Sequence, residues 1–258
     1  MEFKSEIFDV EYRQISDSNY LHVINIQEIN NEMKDFIDVC ISRICYGPDD
    51  TDISIIKKEL VNFFETKQND PEKKTIKGAI AEFFINLYLL DIGFNQEYLF
   101  LNLEENSIKK GFDGYFSLLN EEWIFESKSG SVNSANATHK EKISTAYSDV
   151  KKKVETKSTN NPWKNAFNHA KRVGSNNDII ANLKKLSDDF ILEKYQKIDD
   201  LNIIPGSTIF LEGNWVSIDT DDIEIKIKNY LSDKKFKGIN VICVNNKSIK
   251  LFQDYLTT

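Results

Sequence analysis

The sequence predicts an α/β fold in which helices flank a mixed central β-sheet. Three observations support this prediction. A long apolar segment, Lys73 to Leu90, has the length and composition of a buried helix. Short runs rich in aromatic and aliphatic residues follow it. Helical and strand-like segments then alternate to the C-terminus, so the order from residue 73 is α, β, β, β, α, β, α, β.

The first 70 residues are expected to form an N-terminal α+β extension (1–70), followed by a main domain (71–258). Turn-forming residues at positions 47–50 and 67–71 separate the two parts. Within the extension, Tyr20 to Ile29 has the β-branched content of a strand. Asn31 to Cys45 carries apolar residues at helical spacing and predicts a helix.

Strands and helices alternate in the main domain. The buried helix is expected to end near Gly93, because glycine readily adopts the left-handed conformation that terminates helices. An antiparallel meander should follow, and Pro162 marks a break or a helix start further on. The predicted strands are Tyr98 to Leu103, Phe112 to Leu119, Glu122 to Ser129, Ser207 to Leu211 and Asn240 to Val244, and the later helical segments are Lys140 to Gly174, Asp178 to Lys197 and Asp221 to Phe236.

The composition is that of an ordinary globular chain, with 258 residues, 40% of them hydrophobic, and a net charge of −8. It excludes collagenous and disordered classes. The three cysteines, Cys40, Cys45 and Cys243, have no CxxC spacing, so a disulfide framework and a zinc site are not expected. The sequence shows neither a signal-peptide pattern nor an apolar run of membrane length, and we therefore expect a cytoplasmic protein without a membrane partner.

Charged side chains gather at one end of the predicted hairpin. In a strand over Glu122 to Ser129, Glu126 and Lys128 point to the same face because successive side chains alternate. A turn near Asn120-Glu121 brings Asp113 across from the far end of this strand. Two carboxylates this close repel unless a cation lies between them, and a hard divalent ion is the common solution. Asp113 and Glu126 are therefore candidate ligands for Mg²⁺ or Mn²⁺.

Glu82 is a third candidate, because a carboxylate on a buried helix is costly without a metal or Lys128 as a partner. A bound ion would activate water and polarise a phosphoryl oxygen, while Lys128 would orient the water or stabilise the developing negative charge. Each residue also has a structural interpretation. Glu126 and Lys128 could form an ion pair on an exposed sheet face, Asp113 could be a turn residue, and Glu82 could reach the surface or pair with Lys77.

A helix Glu, an Asp at the start of a strand and a Glu-Ser-Lys triplet on the next strand together resemble the PD-(D/E)xK nuclease superfamily. The resemblance implies a restriction-endonuclease-like αβββαβ core and a site that holds Mg²⁺. The catalytic roles would fall on Glu82, Asp113, Glu126 and Lys128, with Glu82, Asp113, Glu126 and Ser127 as metal ligands. The residue before the Asp is phenylalanine where the motif has proline, a departure that the superfamily tolerates.

Within residues 73–150, the stretches KGAIAEFFINLYLL, KKGFDGYF and WIFESKSG are similar to the HamA family, the nuclease subunits of the Hachiman anti-phage defence system. This narrower resemblance implies a Mg²⁺-dependent DNase with a helicase partner. In such a system the helicase, a HamB-like subunit, restrains the nuclease until infection or DNA damage releases it.

A candidate DNA-binding surface follows the Glu-Ser-Lys strand. From His139 to Gly174, nine Lys and Arg residues stand against three Asp and Glu, although the whole chain is acidic. A basic helix beside the active site could follow a phosphodiester backbone, and a solvated helix face is the alternative. Surface positions are expected for the two histidines of this stretch, His139 and His169. The candidate DNA contacts are Lys140, Lys142, Lys151, Lys152, Lys171 and Arg172.

The sequence therefore favours a Mg²⁺-dependent endonuclease of low sequence specificity, which acts on DNA together with a helicase. Two alternatives stay open. One is a sequence-specific restriction endonuclease. The other is a non-catalytic module that uses the same fold to bind DNA or a partner protein.

Overall fold

The computed structural model describes residues 3–101, 111–216 and 218–258. Within these ranges the chain forms a mixed seven-stranded sheet with helices on both faces, which confirms the predicted α/β class. In chain order the elements are β1 (Asp9–Ser16), β2 (Asn19–Ile26), α1 (Asn31–Tyr46), α2 (Ile53–Thr66), α3 (Lys74–Asp91), β3 (Asn95–Gln96), β4 (Gly114–Leu118), β5 (Glu121–Ser131), α4 (His139–Glu155), α5 (Pro162–Val173), α6 (Asn177–Ile191), β6 (Asn202–Phe210), α7 (Thr220–Leu231), β7 (Gly238–Asn246) and α8 (Lys250–Leu256).

The strand order is β1-β2-β7-β6-β5-β4-β3. Neighbours from β2 to β5 pair in parallel, and the pairs at both edges are antiparallel. Strands β6 and β7 are buried along their whole length, as expected for central parallel strands covered on both faces. The candidate site lies where the antiparallel hairpin β4–β5 joins this parallel centre.

Two hydrophobic cores cover the two faces of the sheet. Helices α1, α2, α3 and α8 pack on one face and α4, α5, α6 and α7 on the other. Helix α3 is apolar nearly all round because it lies between the sheet and α1. Cys40, Cys45 and Cys243 are buried among apolar side chains, as expected. In the described ranges, every helix is too short or too polar to cross a bilayer.

Residues 3–70 share the sheet and one core with the rest of the described chain. Strand β2 pairs in parallel with β7, from Tyr20 opposite Asn240 to Ile26 opposite Asn246. Apolar residues of α1 and α2 belong to the same core cluster as those of α3. The sequence-based boundary near residue 70 falls in the turn between α2 and α3.

The strand predicted from Tyr98 to Leu103 is wrong over residues 98–101, and residues 102 and 103 lie outside the described ranges. The strand before β4 is the two-residue β3. The reason is that Leu99 and Phe100, which follow β3, form backbone hydrogen bonds with residues of helices and not with a strand. Leu99 donates its N–H to Nδ1 of His169 at 3.1 Å, and Phe100 donates its N–H to the carbonyl of Ile44 at 2.9 Å.

The helical region predicted from Lys140 to Gly174 is two helices, and Pro162 begins the second. Asn161 caps this helix, since its side chain accepts a hydrogen bond from the N–H of Lys164. The proline is at a helix start, where its missing N–H costs nothing.

The hairpin β4–β5 turns at Leu119 and Asn120, one residue earlier than predicted. Both residues have positive φ, 49° and 65°, as a two-residue hairpin of the right twist requires. The resulting register pairs Gly114 with Phe125. Asp113, just before β4, therefore lies beside the Glu126 end of β5.

Candidate active site

Asp113 is held at the open end of the hairpin by its backbone and its side chain. Its N–H donates to the carbonyl of Phe125 at 3.1 Å, which extends the strand ladder by one residue. Its Oδ2 accepts hydrogen bonds from the N–H of Ser127 at 2.8 Å and from the Ser127 hydroxyl at 3.2 Å. Asp113 thus lies at the bend just before β4, and both its backbone and its carboxylate are bound to β5.

Glu126 is a buried carboxylate with an ammonium group at each oxygen. Only 1% of the residue is exposed. Nζ of Lys128 donates to Oε1 at 2.7 Å, and Nζ of Lys153 donates to Oε2 at 2.5 Å. Burial and, next, the negative charge of Asp113 raise the pKa of Glu126 to about 7, although both lysines act to lower it. Glu126 and Lys128 therefore do not form an ion pair on an exposed sheet face, which was the structural alternative.

Lys128 bridges two carboxylates. Besides Glu126, its Nζ contacts Oδ2 of Asp149 on α4 at 2.9 Å. Burial alone would lower the pKa of Lys128, but the charges of Glu126 and Asp113 outweigh it and raise the pKa. Lys128 is therefore an ammonium ion at neutral pH, suited to stabilise negative charge and unsuited to remove a proton from water.

Glu82 lies half-buried on α3, and its charge acts on the same neighbourhood. The phenol of Tyr98 lies in the field of this charge. Burial is the largest cause of its raised pKa, and the charges of Asp113, Glu82 and Glu126 raise the pKa further. Lys77, a possible partner of Glu82, instead contacts Glu212 at 2.8 Å. The helix carboxylate thus belongs to the environment of the site.

Ser127, expected among the metal ligands, contacts Asp113 through its N–H and its hydroxyl. These two donors orient the Asp113 carboxylate. In the structure, Ser127 therefore positions the candidate metal ligand Asp113.

The donor chemistry of Asp113 and Glu126 fits a hard divalent ion. Both groups supply carboxylate oxygens, and the charge of Asp113 disfavours ionisation of Glu126, a penalty that a cation would relieve. A search of residues 3–101, 111–216 and 218–258 finds no group of three or more His, Cys, Asp or Glu side chains placed to hold a metal. The candidate metal site is therefore a pair of carboxylates, Asp113 and Glu126. Lys128 and Lys153 contact the second of them.

Sequence reasoning missed Lys153, Asp149 and Tyr98. Asp149 and Lys153 are four residues apart, so they share one side of α4, next to the apolar residues that pack on the sheet. From the sequence, this spacing could have predicted that the two side chains lie on the same face of the helix. The contact with Glu126 depends on how α4 crosses β5, which periodicity does not encode.

The predicted DNA-contacting residues divide between α4 and α5, and several have acidic partners. Lys142 lies against Gly130 of β5, where an added Cβ would be 2.7 Å from its Cε. Lys152 and Lys171 are exposed. The acidic partners are Glu141 for Lys140, Glu155 for Lys151 and Asp49 for Arg172. The positive surface is therefore weaker than the sequence count indicates.

The histidines of the basic stretch are buried, so the expectation that they lie at the surface is wrong. His139 contacts Oγ of Ser207 at 2.8 Å and Oδ1 of Asn245 at 2.9 Å through its two ring nitrogens. Burial lowers its pKa to about 4. The His169 ring stacks on Tyr98 with 3.7 Å between ring centroids. Both residues hold the fold around the site.

Comparisons of the chain with protein-family models, with curated proteins and with solved structures find no match. The functional assignment therefore rests on the chemistry of the site.

Proposed function

We propose that this protein is a metal-dependent deoxyribonuclease of the PD-(D/E)xK type, with a restriction-endonuclease-like core. The observation that carries the proposal is the convergence of Asp113, Glu126 and Lys128 at the open end of the β4–β5 hairpin. Two adjacent carboxylates and an ammonium group, set in a largely buried site, are the groups that phosphodiester hydrolysis needs.

Each residue has a distinct role in this proposal. Asp113 and Glu126 hold Mg²⁺ or Mn²⁺, and Glu82 acts on the same neighbourhood through its charge. When bound, the ion supplies Lewis acidity and lowers the pKa of a bound water. Lys128 donates hydrogen bonds to the phosphate oxygens and stabilises negative charge as it develops. Ser127 keeps the Asp113 carboxylate oriented.

We further propose a DNA substrate and a helicase partner of the HamB type in an anti-phage defence complex. The resemblance of the sequence motifs to the Hachiman nuclease subunits supports this step. The net charge of −8 and the paired lysines of α4 support it too, because a protein that neutralises few phosphates binds DNA weakly alone. DNA affinity at moderate salt should then rise strongly when the helicase is added, and an unchanged affinity would remove this step.

A non-catalytic binding module is the second candidate, and one observation favours it. Glu126 and Lys128 belong to an ion network that also includes Lys153 and Asp149. Such a network satisfies its buried charges without a ligand. A module of this kind would be indifferent to EDTA.

The experiment that tests the proposal is a cleavage assay with the purified chain on circular and linear double-stranded DNA and on single-stranded DNA. Mg²⁺, Mn²⁺ and EDTA are compared, first with the chain alone and then with the helicase and ATP. Metal-dependent loss of DNA as a smear supports the proposal, and discrete fragments would indicate sequence-specific cleavage. Intact DNA under every condition, helicase included, would favour the binding module.

A further inference from the structure

Lys153 places an ammonium group at one oxygen of the candidate metal ligand Glu126. The Nζ–Oε2 distance is 2.5 Å, and the carboxylate is almost completely buried. Lys153 comes from α4, whereas Asp113 and Lys128 belong to the hairpin. The contact thus joins two separate elements at the centre of the site.

The charges explain why this contact forms. Asp113 and Glu126 repel each other, and burial makes an uncompensated charge on Glu126 expensive. Lys128 divides its positive charge between Glu126 and Asp149. Lys153 therefore supplies compensation that Lys128 alone does not provide.

A divalent ion would compete for the same negative charge. Two cations cannot share Oε2 of Glu126 at bonding distance without strong repulsion, because their interaction in a buried site is poorly screened. Lys128 already occupies Oε1, so an ion that leaves Lys128 in place must take Oε2 and displace Lys153 from it.

We infer that Lys153 is an internal cation that occupies Glu126 until a divalent metal ion displaces it, and that it sets the metal concentration at which the site loads. This inference rests on the proposed function, since it concerns the metal site of that nuclease. It adds a residue outside the Asp and Glu-x-Lys motif and a competition that the motif does not contain.

Substitutions at position 153 should move metal affinity in opposite directions. In Lys153→Met the competing ammonium is lost, so the Kd for Mn²⁺ should fall by roughly tenfold, the scale of one charge-assisted contact. In Lys153→Arg a guanidinium that can engage both carboxylate oxygens remains, so the Kd should stay the same or rise. The matched control is Lys152→Met, which removes the same charge from the next, exposed position of α4.

The experiment is a titration of each full-length protein with Mn²⁺ alone, followed by isothermal calorimetry and by the shift of the thermal unfolding midpoint. Tighter binding in Lys153→Met, with Lys152→Met within about twofold of the unmodified protein, supports the inference. Equal or weaker binding in Lys153→Met overturns it. If Lys153→Met does not fold, the Arg variant decides, because tighter binding in Lys153→Arg would also overturn the competition.

A further variant separates failure of the inference from failure of the proposed function. Glu126→Gln should abolish saturable Mn²⁺ binding. If the unmodified protein binds no Mn²⁺, or binds it equally well as Glu126→Gln, the metal site of the proposed nuclease is refuted and the inference falls with it. If binding depends on Glu126 but not on residue 153, only the inference fails.

Discussion

Ser127 donates both its backbone N–H and its hydroxyl to one oxygen of Asp113, at 2.8 and 3.2 Å. Asp113 in turn donates its own N–H to the carbonyl of Phe125. The carboxylate is thereby fixed by the pairing of the two strands and is oriented before any ligand arrives. Such preorganisation is what a catalytic carboxylate requires, because little reorganisation is then needed during the reaction.

Asparagine and alanine at position 113 should separate the chemical role of Asp113 from its structural role. Asp113→Asn keeps an oxygen that accepts from Ser127, so the free energy of unfolding should change by less than about 1 kcal/mol. Asp113→Ala leaves the Ser127 N–H without its acceptor and should cost about 1–3 kcal/mol. Both variants should lose cleavage. Urea unfolding together with a DNA cleavage assay checks this, and an Asn variant as active as the unmodified chain would show that the negative charge of Asp113 is not needed for cleavage.

Gly206 on β6 should be intolerant of alanine. An added Cβ would lie 2.9 Å from Cδ1 of Ile85 on α3 and 3.1 Å from Cε2 of Phe125. We expect Gly206→Ala to lower the free energy of unfolding by about 1–3 kcal/mol through overpacking. The absent side chain lets α3, which carries Glu82, pack closely on the sheet.

Gly78→Ala is the matched control for this prediction. Gly78 lies within α3, and an added Cβ there would meet nothing within 4 Å. Removal of a helical glycine should raise stability by about 0.5–1 kcal/mol. Chemical denaturation of both variants decides, and equal effects of the two substitutions would contradict the packing argument.

His139 should make the protein sensitive to acid. Its pKa is about 4 in the folded protein because of burial, against 6.5 when unburied. Between these values the unfolded chain binds a proton that the folded chain does not, so the stabilising contribution is present above pH 6.5 and is lost as the pH falls towards 4. The loss should reach about 3 kcal/mol at most.

The measurement is the free energy of unfolding from pH 7 to pH 4 for the unmodified chain and for His139→Gln. Glu126 titrates with the opposite sign in this range, so the informative quantity is the difference between the two curves. This difference should shrink as the pH falls. Parallel curves would show that His139 does not remain neutral in the folded protein.

Local sequence patterns were enough to predict the hairpin part of the site. Alternation along β5 places Glu126 and Lys128 on one face, and a short turn brings Asp113 beside them. The position of the turn was one residue off, because Leu119 at positive φ carries no sequence signal of the kind that glycine gives. Despite this displacement, Asp113 lies beside the Glu126 end of β5, as predicted.

The non-local parts of the site could not be predicted in the same way. The contact between Lys153 and Glu126 spans 27 residues and depends on the angle at which α4 crosses the sheet. The pairing of β2 with β7 joins residues about 220 apart and follows from packing of the whole sheet. Tyr98 looked like a strand residue because it is aromatic, whereas it packs on His169.

Under the proposed function, Lys128 stabilises the negative charge that develops during cleavage of a phosphodiester bond. The test compares the Mg²⁺-dependent cleavage rates of the unmodified chain, of Lys128→Met and of Lys58→Met, which removes an exposed lysine of α2, on one DNA substrate with the helicase present. We predict a loss of about 10²- to 10⁴-fold for Lys128→Met and a change within about twofold for Lys58→Met. Cleavage by Lys128→Met at the rate of the unmodified chain would contradict this role of Lys128.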